Sequence, residues 1–211
     1  MLSLMPPLTL YAATSNPGKL REFATAAQPS GIIVEALPNL NQIPEPIEDA
    51  DTFQGNADLK AIAYSLAAPN LLVFADDSGL EVPALNNQPG VRSARFAHDH
   101  NFELNSSLTT DALNNALLLL LMRDQPDRAA RFVCNLALAR NGEVLLRAHG
   151  TVEGQLLHAP RGADGFGYDP LFLLPSLNRT SAEIPREQKW QLSHRGNAFR
   201  ELLAQLAAAE L

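Results

Sequence analysis

The chain's first apolar run, Leu8 to Thr14, gives way to the polar turn Ser15-Asn16-Pro17-Gly18-Lys19 and then to an amphipathic stretch. Leu20, Phe23, Ala24 and Ala27 recur at helical spacing. Asn16 is a good N-cap and Pro17 suits the first helical position, so the opening predicts strand, tight turn, helix. Pro38 to Asp51, rich in proline and acidic residues, predicts a loop. Thr52 can cap a second helix whose buried stripe is Phe53, Ala57, Ala61 and Tyr64. Leu71 to Ala75 predicts an apolar strand ending at Asp76-Asp77-Ser78-Gly79. Gly79 to Ala97, with Pro83, Pro89 and Gly90, reads as irregular, and Thr109 to Arg123 as a leucine-rich buried helix.

Arg131 to Arg140 alternates, with Phe132, Cys134, Leu136 and Leu138 on one face. Asn141-Gly142 and Glu143 to Thr151 follow, which is the pattern of a β-hairpin. Gly162 to Asp169 is a glycine-rich loop and Pro170 to Leu174 a short strand. Ser193 caps a last helix with Ala198, Phe199, Leu202, Leu203 and Leu206 on its apolar face. Local hairpins mixed with crossovers imply an α/β fold with a mixed sheet. No stretch reads as a long linker, so no domain boundary is drawn within 1–211.

Composition narrows the classes. A chain of 211 residues, 46% apolar and 18% charged, suits one sizeable domain or two lobes sharing a core, and excludes global disorder. A net charge of −7 argues against a general nucleic-acid or membrane-surface binder. The basic residues are 13 Arg and only three Lys: Lys19, Lys60 and Lys189. The lone Cys134 excludes an internal disulfide framework and reads as a buried structural thiol. The longest apolar run, Ala116 to Met122, falls far short of the ~20 residues that span a bilayer. Met1 to Pro7 lacks the charged and apolar regions of a signal peptide, so a reducing cytoplasm is expected.

Several segments can carry chemistry. A turn opening a helix, with Lys19 in its first turn, can hold an anion on free amides. A cation there otherwise opposes the helix dipole by ~0.3–1 kcal/mol, and an anionic ligand would remove the conflict. His194 and Arg195 repeat the oddity at the last helix. Asp76 and Asp77 are adjacent on a strand, so their side chains point oppositely and cannot do the same job. One is suited to bind a hard cation such as Mg²⁺ or to activate water, the other to orient the loop. A plain turn built from Asp-Asp-Ser-Gly is the alternative. In Gly162 to Pro170, glycines allow close backbone approach to a ligand and an aromatic can stack on a planar base. His98-Asp99-His100 suggests metal at first glance, but without a further His or Cys nearby it reads as surface. No Gly-x-Ser-x-Gly elbow exists, which disfavours covalent serine chemistry.

Together these segments resemble the Ham1-like nucleoside triphosphate pyrophosphatases. The matches are Ala13 to Lys19, Thr52-Phe53-Gln54-Gly55-Asn56-Ala57-Asp58-Leu59-Lys60-Ala61, Ala75 to Leu80, Pro89 to Arg95, Gly165 to Pro170 and Ser193 to Gly196. They follow the family's order and spacing along nearly the whole chain. The resemblance implies an elongated mixed sheet flanked by helices, two lobes with a central nucleotide-binding cleft, and a homodimer. It implies Mg²⁺-dependent hydrolysis of non-canonical purine triphosphates (ITP, dITP, XTP) to monophosphate and pyrophosphate. By the same resemblance Asp77 is the general base and a metal-site residue, with Asp76 supporting it at the metal and Ser78 touching substrate. Thr14, Ser15, Asn16, Pro17, Gly18 and Lys19 would hold phosphates. Asn56 and Lys60 fall in a substrate-binding motif. Phe166, Gly167, Tyr168, Asp169, Lys189, His194 and Arg195 would hold the nucleotide.

One position departs from the family. Its usual Thr-Phe-x-Glu-Asn-Ala carries a metal-binding glutamate where this chain has Gly55. Asp58, by i, i+3 geometry, is a candidate replacement, with Glu48, Asp49 and Asp51 in the preceding loop. Restoring the glutamate, Gly55→Glu, is expected to tighten the Mg²⁺ requirement. Loss of that glutamate also leaves two alternatives open: a nucleotide-binding protein weakened in catalysis, or a pyrophosphatase for other modified nucleotides.

Overall fold

A computed structural model describes residues 8–104 and 107–209. The reading of Met1 to Pro7 therefore lies outside the described residues. The elements are β1 (Thr9–Ala12), α1 (Pro17–Ala27), β2 (Ile33–Ala36), α2 (Phe53–Ala67), β3 (Val73–Val82), β4 (Gln88–Pro89), α3 (Phe96–Asp99), α4 (Thr110–Leu121), β5 (Ala129–Arg140), β6 (Glu143–Leu156), β7 (Phe172–Leu174), β8 (Arg179–Thr180), α5 (Arg186–Leu192) and α6 (His194–Ala208). The strands join in the order β2-β1-β3-β5-β6-β7-β8, with β4 beside β3. Pairing of β1 with β2 and β3 is parallel, and of β6 with β7 and β7 with β8 antiparallel, so the sheet is mixed as expected.

Local chemistry sets the element ends. Asn16 Oδ1 accepts from the Gly18 and Lys19 amides, Thr52 Oγ1 from Gly55 N, and Thr109 Oγ1 from Ala112 N, which caps α1, α2 and α4. Asn141 (φ 54°) and Gly142 (φ 81°) take the left-handed conformation that a tight β5–β6 connection needs.

Four elements differ from expectation. The Asp-Asp-Ser-Gly segment is no strand end: β3 runs through it for ten residues. Each of the four residues favours turns locally, but tertiary contacts prevail. The hydroxyl of Ser93 accepts from Leu80 N at 2.9 Å and donates to Gly90 O at 2.6 Å. A Cβ at Gly79 would come 2.7 Å from Gly90 O, so only glycine admits this approach. Strand β6 likewise outruns its expected end at Thr151. Strand β2 and the seven-residue α5 carry no strong periodic signal; of β2 only Val34 is buried.

The chain forms two compact units. The first comprises Met1–Asp77, Asn135–Gly150 and Gly196–Leu211; the second comprises Ser78–Cys134 and Thr151–Arg195. In the first, Phe23, Phe74 and Phe199 pack mutually with ring centroids 4.8–5.5 Å apart. Ala57 and Ala61 of α2 meet Ala75, Ala137 and Ala139, small residues that let the helix lie close on the strands. In the second, Leu80, Val82, Leu118, Met122, Phe132, Leu171 and Phe172 form the core. Cys134 is fully buried on β5. Among the described residues no helix is long and apolar enough to cross a membrane.

Candidate active site

In the first unit, β3 delivers Asp76 and Asp77 to different partners, as strand alternation requires. Asp76 is 7% exposed and pairs with Lys19 Nζ at 2.8 Å. The β1–α1 turn places that lysine: Asn16 N donates to Thr14 Oγ1 at 3.2 Å, and Asn16 Oδ1 then gathers the Gly18 and Lys19 amides at 2.8 and 3.2 Å. The misplaced cation in the first turn of α1 thus finds its counter-charge in Asp76.

Asp77 meets α2. Asn56 Nδ2 donates to Asp77 Oδ2 at 3.1 Å, and Lys60 Nζ lies 3.5 Å from Asp77 Oδ1. Asn56 and Lys60 are i, i+4 on the helix and so share a face. Asn56 is itself fixed, because its Oδ1 accepts from Ala50 N at 3.0 Å. Lys60 also pairs with Glu48 at 2.9 Å. Burial pushes the Asp77 carboxyl above its ordinary range, and the nearby Lys60 charge only partly opposes this. For Lys60 burial acts downward, yet Asp77, Asp76 and Glu48 outweigh it and hold the ammonium above its ordinary value.

Of the carboxylates named as replacements at Gly55, the structure brings Glu48 to this cluster. Asp58 points to other work: it accepts from Gln54 Nε2 at 2.8 Å and pairs with Arg147 at 3.0 Å. Sequence pattern could not separate Glu48 from its acidic neighbours, because a loop has no periodicity to say which side chain turns inward.

In the second unit, the glycine-rich loop is folded around Asp169, which is 5% exposed. Its Oδ2 accepts from Phe166 N at 2.9 Å and pairs with Lys189 Nζ on α5. Gly165 has φ 84°, and a Cβ there would strike the Asp169 carboxylate and lie 2.9 Å from Lys189 Nζ. Gly167 N donates to Asp111 Oδ2 at 2.7 Å, and its carbonyl accepts from Asn115 Nδ2 at 2.8 Å. Tyr168 is buried with its hydroxyl donating to Ser93 O at 2.9 Å. Burial drives that phenol well above its ordinary value.

These anchors leave Phe166 half exposed, with Lys189 Nζ 5.8 Å and Arg195 Cζ 5.6 Å from its ring centroid. Arg195 is buried and reaches Ser78 Oγ at 3.4 Å. His194 stacks on Phe132 at 4.8 Å, beside a small pocket bordered by Asp169, Lys189 and Phe172. Lys189 thus lies on a helix the sequence did not reveal, while Ser193 immediately precedes α6.

The His98-Asp99-His100 segment is a surface ion-pair cluster. Asp99 pairs with Arg92 at 2.8 Å and Arg95 at 3.2 Å, and His100 Nδ1 contacts Phe96 O at 2.9 Å. Among the described residues, no group of three or more His, Cys, Asp or Glu side chains is placed to hold a metal unaided.

Fold and site together define a mixed-sheet α/β protein with a buried carboxylate–ammonium cluster on its third strand and second helix, and an aromatic presented between cations on a glycine-rich loop. The chain belongs to the Ham1 family, which matches residues 10–205. It is 53% identical over 199 residues to a dITP/XTP pyrophosphatase of Acidobacterium capsulatum, covering 94% of this chain and 98% of that one. Identity to the dITP/XTP pyrophosphatase of Vibrio cholerae is 43% over 197 residues, with 92% and 94% covered. Among solved structures, a HAM1 protein from Coxiella burnetii matches with TM-score 0.83 and 36% identity, over 96% of this chain and all of that one.

Proposed function

We propose that this chain hydrolyses non-canonical purine nucleoside triphosphates, ITP, dITP and XTP, to the monophosphate and pyrophosphate. The observation that carries the reading is Asp77, a buried carboxylate held by Asn56 and Lys60 in a chain 53% identical to a dITP/XTP pyrophosphatase. A carboxyl raised above its ordinary range is a better proton acceptor for an attacking water. Asp77 therefore serves as general base, and Lys60 and Asn56 hold its orientation.

The β1–α1 turn, Thr14 to Lys19, suits the phosphates: it sets an ammonium, kept in place by Asp76, at a helix start whose dipole favours an anion. In the second unit, Phe166 suits a planar base, with Gly167, Tyr168 and Asp169 shaping its loop. Lys189, His194 and Arg195 supply donors beside it, and Ser78 a hydroxyl. Such donors favour the 6-oxo group of hypoxanthine and xanthine over the amine of adenine.

Mg²⁺ fits this donor set. Lys60's ammonium already bridges two carboxylates, Asp77 and Glu48, so the site is built to surround a cation. Mg²⁺ is commonly held by one or two carboxylates plus substrate phosphates rather than by an all-protein cage. Asp77, with Asp76 supporting, would hold it, and the ion would neutralise charge developing on the phosphates. We further propose a single-domain enzyme acting as a cytoplasmic homodimer, without nucleic-acid or membrane partners; the net charge of −7 supports the last point.

The test is incubation with ITP, dITP, XTP, GTP and ATP plus Mg²⁺, with pyrophosphate and orthophosphate measured separately. Pyrophosphate from the first three is expected. Orthophosphate alone would overturn α–β cleavage, and ITP binding without any product would favour a binding protein.

A further inference from the structure

We infer that Asp111 and Asn115 on α4 are positioning residues for base recognition: they hold both backbone polar groups of Gly167 and so fix where the Phe166 ring stands. The inference rests on the reading of Phe166 as the platform for a purine base. Two features of the second unit carry it.

The first is how the loop is held. Asp111 and Asn115 are i, i+4 on α4 and share a face. Gly167 N donates to Asp111 Oδ2 at 2.7 Å, and Asn115 Nδ2 donates to Gly167 O at 2.8 Å. Packing contributes little at this residue. A Cβ at Gly167 would meet nothing within 4 Å, and a cavity of about 400 Å³ is bordered by Asp111, Asn115, Leu119, Phe166 and Gly167. The neighbouring Asn114 ties α4 to the segment that also seats Tyr168. Its Nδ2 donates to Ser93 O at 3.3 Å, the same carbonyl that accepts from the Tyr168 hydroxyl. Asp169 holds Phe166 N, so the ring springs from between two anchored peptide groups, and α4 sets one of them.

The second is the state of Asn115 itself. Its Oδ1 is buried without a hydrogen-bond partner among the described residues. An unsatisfied acceptor costs stability, so the amide is poorly explained as a support of α4 alone. Its donor is what the Gly167 carbonyl requires, since a carbonyl only accepts. The polarity is likewise fixed at Asp111, because the Gly167 amide needs an acceptor.

The test is steady-state release of pyrophosphate from ITP with Mg²⁺, using two swaps that keep side-chain shape. Asp111→Asn keeps an acceptor but loses its charge, so KM should rise only about twofold. Asn115→Asp removes the donor and sets a carboxylate against the carbonyl, so KM should rise roughly fivefold or more, with kcat changed less than about twofold. In a Phe166→Ala chain the same Asn115→Asp swap should raise KM no further, because the ring it positions is gone. Its cost in urea midpoint should persist there, which separates positioning from stability. Full additivity of the two KM effects, or equal KM effects of the two swaps, would overturn the inference. Asn115→Asp with the parent's KM, while Phe166→Ala raises KM, would overturn the inference and spare Phe166 as platform. An unchanged KM in Phe166→Ala would overturn that platform, and no pyrophosphate from the parent would overturn the proposed activity; the inference falls with either. Should Asn115→Asp not fold, Asn115→Ala carried through the same cycle decides.

Discussion

Around Asp77 the polar groups sit mostly on regular elements and are mostly paired ionically: Asp76 and Asp77 on β3, Asn56 and Lys60 on α2, Lys19 on α1, with Glu48 reaching Lys60 from a loop. Around Phe166, in the other unit, the anchors are backbone amides and carbonyls of a loop with Gly162, Gly165 and Gly167 all at positive φ. The first arrangement buries charge and fixes it, as a proton transfer needs. The second holds a loop in an unusual path so that one apolar ring stays half exposed. On the proposed function, chemistry would be mounted mainly on strand and helix, and recognition on a loop whose shape depends on distant partners.

The comparison predicts how each region fails. Asp77→Asn keeps the shape and the bond from Asn56 in altered polarity but removes the proton acceptor. A fall of about 10³-fold in kcat is expected, with nucleotide binding largely kept. Pyrophosphate release and binding of an ITP analogue with an imido link between its α and β phosphates measure the two; substantial residual turnover would exclude Asp77 as base. Phe166→Ala should do the opposite. Stacking on an aromatic contributes ~1–3 kcal/mol per base, so KM for ITP should rise about tenfold while kcat changes less. Its urea midpoint should stay unchanged, because the ring is half exposed.

The same division explains what could be read from residues alone. Asn16, Pro17 and the stripe through Phe23 and Ala27 mark α1 by local rules, and the structure places the helix at Pro17–Ala27. Asn141-Gly142 likewise marks its turn. Asp-Asp-Ser-Gly misled, since its four turn-formers are held extended by Ser93 and Gly90, residues more than ten positions away. Among the candidate residues, Lys19 and Asp76 were each singled out, but their pairing is a tertiary fact. The oddity at Lys19 pointed to an anionic ligand, whereas the counter-charge the structure shows there is Asp76. Glu48 stood among several loop carboxylates, and only its tertiary ion pair with Lys60 selects it. Helix α5 is seven residues long, too short for periodicity to declare, so the seat of Lys189 was not visible.

Gly165→Ala tests whether the recognition loop depends on backbone freedom. A left-handed non-glycine residue costs ~1–2 kcal/mol, and the added Cβ would meet the Asp169 carboxylate. A stability loss of about that size is expected in urea unfolding, with a several-fold rise in KM. An unchanged KM would show that the loop's path does not govern binding.

The smallest effect concerns what braces that loop from below. Glu183 Oε2 accepts from Thr180 N and from Arg161 Nε, both at 2.8 Å, closing a capping box beside Gly162. A Cβ at Gly162 would come 2.7 Å from the Ala182 carbonyl carbon, so this short helical turn and the loop start are in contact. The Thr180 amide first, and Arg161 next among the groups acting downward, hold the Glu183 carboxyl below its ordinary value of 4.5. A depressed folded-state pKa means that folding favours the carboxylate. Its contribution is then fully present above 4.5 and lost as pH falls through the lower native value. Glu183→Gln should lower the urea midpoint slightly at pH 7, and the gap to the parent should close as pH falls below 4.5. Nothing at the Asp77 cluster takes part in this bracing, so kcat at pH 7 should be unchanged while KM rises modestly. A gap that persists undiminished at the acid end would show that Glu183 acts through packing, not through its charge.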